Sequence, residues 1–213
     1  MRPWGLPLRG HGDSGLYTFC RWLAVPLFGG LYRCRLRGME NLPVRGPVIV
    51  ITNHKSNIDP VIVGMLCDRP LRYMAKKELF RNAALSRLIS TLGAFPVDRG
   101  SGDREALATS LEVLTEGGAL LMFPEGHRQS DDEVHEFLPG VAMIALRSGA
   151  PVVPLAMRGT QHILHGGRPG LPALRAEIGP PISFDGLQGR NSKTYHEAAR
   201  RMRTAVAELY GRL

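Results

Sequence analysis

Only three cysteines occur among the 213 residues, Cys20, Cys34 and Cys67, with no CxxC pair and no histidine cluster of metal-site spacing beside them. Such an odd, scattered set leaves no basis for a disulfide framework or a structural zinc site and fits a reducing compartment. Also missing is any run approaching the roughly 20 apolar residues that a bilayer-crossing helix needs. Arg21 and Arg33 bracket the main N-terminal apolar stretch, which is further broken by Pro26, Gly29 and Gly30. A polar lead precedes that stretch and no small-x-small cleavage site follows, so no cleaved signal peptide is expected. No internal repeat, low-complexity tract or interdomain linker is visible, and no GxSxG elbow, which argues against a serine acyl-enzyme.

What is present reads as one folded domain of ordinary size, with 44% apolar and 22% charged residues. The formal net charge is +8, and the first 45 residues carry seven arginines (Arg2, Arg9, Arg21, Arg33, Arg35, Arg37, Arg45) against Asp13 and Glu40. Interspersed with them are Trp4, Trp22, Phe19, Phe28 and Tyr32. Basic and aromatic residues together suit an anionic membrane surface, where each cation near the headgroups contributes about 1 kcal/mol. Plain solubilising charge is the other reading; nucleic acid is set aside because no nucleic-acid-binding signature accompanies the charge. Leu16, Phe19, Leu23, Leu27 and Leu31 fall three or four apart, predicting an amphipathic helix interrupted near Pro26 that docks on lipid or on the protein's own core. Tryptophan and arginine at its boundary favour lipid. The expected organisation is therefore a membrane-associating segment over 1–38 and the main folded domain over 39–213, peripheral or monotopic on the cytoplasmic side of the cell membrane.

Val48, Ile49, Val50 and Ile51 form a short apolar, β-branched run of the kind buried on both faces of a sheet. Similar runs are Leu71 to Ala75, Ala94 to Val97, Ala119 to Phe123, Val152 to Met157 and Leu174 to Ile178. Between them helical spacing predicts helices over Val61 to Leu66, Glu78 to Leu92, Asp103 to Glu116 and Val141 to Arg147, with Gly149 placed to end the last. A final helix is expected from Thr194 to Tyr210. This alternation predicts an α/β fold with a mostly parallel or mixed central sheet flanked by helices.

Chemistry-bearing residues follow three of these strands. NHKSNIDP places His54 at the mouth of the sheet and Asp59 five residues later. Five residues along a straight helix are about 140° apart, so pairing them needs a turn, which Lys55, Ser56 and Asn57 can form. A neutral imidazole takes a proton from a hydroxyl near pH 7, and a carboxylate on its other nitrogen fixes the tautomer. The spacing fits equally a cap role for Asp59 ahead of Pro60, with His54 in a surface loop. GAFPVDRG brings Arg99 into a glycine-containing loop, where it can fork onto a phosphate or pair with Asp98 or Asp103. LLMFPEGHRQS runs a buried strand into Glu125, Gly126 and Arg128, with Gly126 allowing a turn closed to other residues and the two charged side chains projecting. A solvated Pro-Glu-Gly turn is the alternative there. His162 and His165 lack a third ligand for a metal, while His11, His135 and His196 read as surface residues.

In order and spacing, NHKSNIDP, GAFPVDRG, FPEGHRQS and APVVPLAM resemble the four blocks of the glycerolipid acyltransferase family, over roughly Leu36 to Thr160. The resemblance implies transfer of a fatty acyl group from acyl-CoA or acyl carrier protein to the free hydroxyl of lysophosphatidic acid, giving phosphatidic acid in phospholipid synthesis. It implies His54 as general base with Asp59 orienting it, and Arg99, Glu125, Gly126 and Arg128 as the acceptor's phosphate and glycerol site. It links Pro154 to the acyl chain or donor. Lys76 and Lys77 in YMAKKELF match a lysine-rich turn that can hold phosphate, or simply face solvent. Implied partners are a lysophospholipid acceptor, the acyl carrier and a membrane surface, with no nucleic acid, no metal and no prosthetic group. His127 stands where the family most often has threonine, and no lysine precedes Gly140. Those departures leave room for a sibling enzyme acting on a lyso-ornithine lipid or glycolipid, or for a non-catalytic lipid-binding protein.

Overall fold

The structure is a computed structural model that describes residues 15–67, 69–98, 104–165 and 168–213. Among the described residues there are nine strands: β1 (Arg35–Arg37), β2 (Val48–Thr52), β3 (Leu71–Lys76), β4 (Ala94–Val97), β5 (Ala119–Met122), β6 (Val152–Arg158), β7 (Leu164–His165), β8 (Arg168–Pro169) and β9 (Arg175–Ile178). The helices are α1 (Gly15–Pro26), α2 (Asp59–Leu66), α3 (Ala83–Thr91), α4 (Arg104–Thr115), α5 (Pro139–Ser148) and α6 (Ser192–Tyr210). Seven strands form one sheet in the order β1-β9-β6-β2-β5-β3-β4, and β7 and β8 form a small hairpin.

Burial explains the central run of β-branched residues. Side chains alternate across a strand, so a strand covered on both faces must be apolar throughout. Every residue of β2 is buried. Val48 and Val50 join a core with Ile62, Leu66 and Leu121 beneath α1 and α2, while Ile49 and Ile51 join the opposite core with Leu120, Val141 and Met202 beneath α5 and α6.

Strands β2, β3, β4, β5 and β6 are mutually parallel, which puts all five carboxyl ends on one edge. The mixed character comes from β9, antiparallel to β6, and from β1, parallel to β9. Polar, three-residue β1 carries no apolar signature of its own; pairing with β9 makes it a strand. It also draws the end of the segment 1–38 into the main sheet, so the boundary expected at 38 falls on the far side of an integral strand. Proline in an interior strand is unusual. Pro154 lies where the β6–β9 pairing ends, and its carbonyl accepts from Gly179 N–H at 2.8 Å, just past the end of β9.

One helical expectation changes. A continuous helix over Glu78 to Leu92 is replaced by a 3-10 turn, Lys77–Arg81, followed by α3, because Asn82 adopts an extended backbone and its side chain accepts from Leu85 N–H at 3.0 Å. At the N-terminus α1 gives way after Pro26 to a π turn, Leu27–Leu31. Tyr17, Arg21 and Phe28 turn inward, and Tyr17 donates to the Gly64 carbonyl of α2 at 3.2 Å. Phe19, Trp22, Leu23, Leu27 and Leu31 remain about half exposed. Trp4, Arg2, Arg9 and His11 lie outside the described residues.

Candidate active site

His54 leaves β2 at the common carboxyl edge, the place where parallel α/β sheets open their sites. The chain turns through Ser56 and Asn57, with Asp59 N–H donating to the Ser56 carbonyl at 3.1 Å, and then enters α2 with Pro60 in its first turn. That turn brings the Asp59 carboxylate back onto its own loop. Asp59 Oδ2 lies 2.9 Å from His54 Nδ1 and accepts from the backbone N–H groups of Lys55 and Ser56, each at 2.7 Å. The two backbone donors make Oδ2 an acceptor, so Nδ1 carries the proton and Nε2 presents a lone pair. Asp59 is fully buried, and its Oδ1 has no partner among the described residues. His54 is 7% exposed, and its ring packs 4.3 Å, centroid to centroid, from Phe123. Nε2 has no hydrogen bond among the described residues.

The adjoining strand edges are tied to this loop. Asn53 extends the ladder beyond β2: its side chain donates to the Met157 carbonyl and accepts from Met157 N–H, both at 2.9 Å, fixing the end of β6. After β5, Gly126 sits at φ 74° and its N–H donates to the Phe123 carbonyl at 3.0 Å, a left-handed turn that glycine adopts without strain. Glu125 does not project from this turn. It is 2% exposed, with Oε2 accepting from His54 N–H at 2.8 Å and Oε1 from His135 N–H at 2.9 Å. Two backbone donors that would otherwise be buried unpaired hold it inside, against the sequence expectation. Arg128 is exposed, with no partner among the described residues.

Lys55, read from sequence only as a turn former, has a side chain with no exposed surface. Its ammonium donates to Asp131 Oδ1 at 3.2 Å and to the Glu133 carbonyl, and lies 5.8 Å from the centre of the Tyr210 ring. His135 is half buried, its Nε2 2.7 Å from Asp131 Oδ2. The His135 hydrogen bond, followed by the Glu133 N–H and Lys55, holds the Asp131 carboxyl down at about 2. Asp132 is likewise lowered, first by Arg158, whose Nη2 is 2.9 Å away, and then by the Tyr210 hydroxyl. Burial, aided by Asp132, pushes the Tyr210 phenol up to about 12.

Lys76 and Lys77 are exposed at the end of β3, Lys76 3.7 Å from Glu78, and β5 separates their strand from β2. Pro154 is buried in β6 beside Ile51. Arg99 lies outside the described residues. His196 is exposed, as expected, whereas His135 is not the free surface residue the sequence suggested.

Residues 33–158 match the acyltransferase family model. The chain belongs to the acyltransferase family. This acyltransferase is 32% identical over 148 residues to the 1-acyl-sn-glycerol-3-phosphate acyltransferase of Bacillus subtilis, covering 68% of this chain and 72% of that protein. Its identity to the 1-acyl-sn-glycerol-3-phosphate acyltransferase of Streptococcus pneumoniae is 27% over 203 residues, 93% of this chain and 75% of the relative. Among solved structures it shares its fold with PlsC, the 1-acyl-sn-glycerophosphate acyltransferase of Thermotoga maritima, at a TM-score of 0.70 and 24% identity, covering 90% of this chain and 78% of that one. The matched residues 33–158 begin just before β1 and end with β6, so they contain both His54 with Asp59 and the loop after β5.

Proposed function

We propose that this acyltransferase moves a fatty acyl group from acyl-CoA or acyl carrier protein to the free hydroxyl of lysophosphatidate, giving phosphatidate. The observation that carries the reading is His54 with Nδ1 committed to Asp59 and Nε2 bare, in a family whose matched relatives are named for this acceptor. Nε2 takes the hydroxyl proton as the acceptor oxygen attacks the thioester carbonyl. The resulting imidazolium is stabilised by Asp59, the tetrahedral adduct expels the thiolate, and the proton passes from His54 to the departing sulfur. Oxygen–carbon bond formation and carbon–sulfur cleavage balance without a covalent enzyme intermediate.

Exposed Arg128 is the cation that a lysolipid phosphate reaches beside this loop, with Lys76 and Lys77 at the end of β3 and, from the sequence alone, Arg99 as further candidates. Gly126, whose left-handed turn shapes this loop, belongs to the same acceptor site in this reading. The donor role falls in this reading to the β6 side of the sheet, where Pro154 is buried beside Ile51. No helix among the described residues is long and apolar enough to cross a membrane. In this reading the outward face of Phe19, Trp22, Leu23, Leu27 and Leu31, followed by exposed Arg33, Arg35 and Arg37, rests on the cytoplasmic leaflet.

The test is release of free thiol from palmitoyl-CoA and from palmitoyl acyl carrier protein by purified protein, with lysophosphatidate, another lysolipid or no acceptor. Release should require lysophosphatidate and vanish in His54→Ala. Release with a different lysolipid only would transfer the reading to another acceptor, and wild-type turnover in His54→Ala would remove the base assignment.

A further inference from the structure

Both backbone polar groups of His54 are bound by the segment that follows β5. Its N–H donates to Glu125 Oε2 at 2.8 Å, and its carbonyl accepts from Gln129 N–H at 2.9 Å. The ring is held by its own loop through Asp59, but the Cα from which that ring hangs is held by residues more than 70 positions away. Residues 126–138 contain neither helix nor strand, so their own placement depends on a few attachments. On the side facing the His54 loop these are the Gln129 bond, His135 N–H to Glu125 Oε1, Leu138 N–H to the Pro124 carbonyl at 2.8 Å, and the buried Lys55 ammonium on Asp131 and the Glu133 carbonyl. In addition, Asp132 bonds to Arg158, Gln161 and Tyr210, and Val134 and Phe137 are buried in the core.

We propose that Glu125 is a positioning residue for His54 and not a ligand of the acceptor, with Lys55 as the second clamp fastening residues 126–138 behind the catalytic loop. A carboxylate that is 2% exposed and accepts a backbone N–H on each oxygen has no oxygen turned to a substrate hydroxyl. It bridges two stretches of backbone and fixes the base between them. Small displacements of a base cost rate without costing acceptor affinity, because the lost interaction is one made only as the proton moves. The proposal rests on the reading of His54 as the base.

Glu125→Gln replaces one acceptor oxygen by an NH2 that faces a backbone N–H, and Glu125→Asp keeps the charge but cannot span both donors. Each should lower kcat by about tenfold or more, while KM and the Kd for lysophosphatidate without acyl donor change less than about twofold. A raised KM and Kd with kcat retained would overturn the proposal, as would unchanged kinetics. Lys55→Met retains the apolar stem and is the second variant if the Glu125 changes prevent folding. It should show the same split, with kcat lowered several-fold, and an effect on KM alone or none would count against the clamp. Proton NMR provides an arm independent of turnover. The downfield His54 Nδ1–H resonance, assigned by its loss in His54→Ala, should broaden or vanish in Glu125→Gln, and its persistence unchanged would refute the positioning role. Absence of wild-type turnover with lysophosphatidate would instead strike the functional reading and leave the NMR comparison to decide Glu125.

Discussion

Replacing Asp59 by asparagine separates what its charge does from what its shape does. In the native site one oxygen, Oδ2, accepts from His54 Nδ1–H and from the Lys55 and Ser56 backbone, all within 2.9 Å and fully buried. Asparagine keeps an oxygen for all three donors but makes each bond neutral. A hydrogen bond to a charged group contributes about 1.5–3 kcal/mol against about 0.5–1.5 for a neutral one, so three conversions cost about 3 kcal/mol. The new NH2 occupies the Oδ1 position, where no partner stands among the described residues, and a buried unpaired donor costs a further ~1–3 kcal/mol. Relief from burying an ionised carboxylate offsets part of this, leaving an expected net loss of about 2–4 kcal/mol. Against a total stability of roughly 5–15 kcal/mol the variant still folds at room temperature. Its kcat should nevertheless fall by about 10²–10⁴, because the imidazolium formed during transfer has lost its counter-charge. Urea unfolding followed by circular dichroism and thiol release at saturating substrates measure the two effects on one preparation. A destabilised Asp59→Asn with wild-type kcat would refute the orienting role, and unchanged stability would refute the three-bond account of the loop.

Arg128→Ala should raise KM for lysophosphatidate about tenfold or more with kcat nearly kept, since an exposed cation without partners among the described residues can bind phosphate without reshaping the site; an unchanged KM would take Arg128 out of the proposed phosphate site. Trp22→Glu should lower partitioning to anionic vesicles by about tenfold or more without destabilising the protein, because the side chain is 56% exposed; sedimentation with phosphatidylglycerol vesicles checks this, and unchanged binding would move the membrane face elsewhere. The Asp131 carboxyl is depressed from 3.8 to about 2, so its contribution is complete above about pH 4 and disappears as pH falls through about 2. Urea midpoints measured from pH 5 to pH 2 should therefore fall less steeply in Asp131→Asn than in wild type, and parallel curves would show that the His135 and Lys55 contacts do not persist in solution.

The chain's local patterns determined most of the architecture. Runs such as Val48 to Ile51 declare double-sided burial by composition, the α/β alternation follows from their spacing with the helices, and His54 with Asp59 are close enough in sequence for one turn to join them. What the sequence could not settle was decided by strand order. β1 has no apolar pattern and exists because β9 lies beside it, and nothing in the alternating residues of β9 tells that it runs antiparallel to β6. From the sequence Lys55 reads as a turn former, and Glu125 as a side chain projecting toward the acceptor or into solvent. Only when β5 is set next to β2 does the His54 N–H meet Glu125, 71 positions away, and only when the loop after β5 folds over does Lys55 meet Asp131, 76 positions away. A periodicity reports which face of an element is apolar. It says nothing about which distant backbone donor a buried carboxylate will satisfy, because that choice is made by the neighbouring strand and not by the residues on either side.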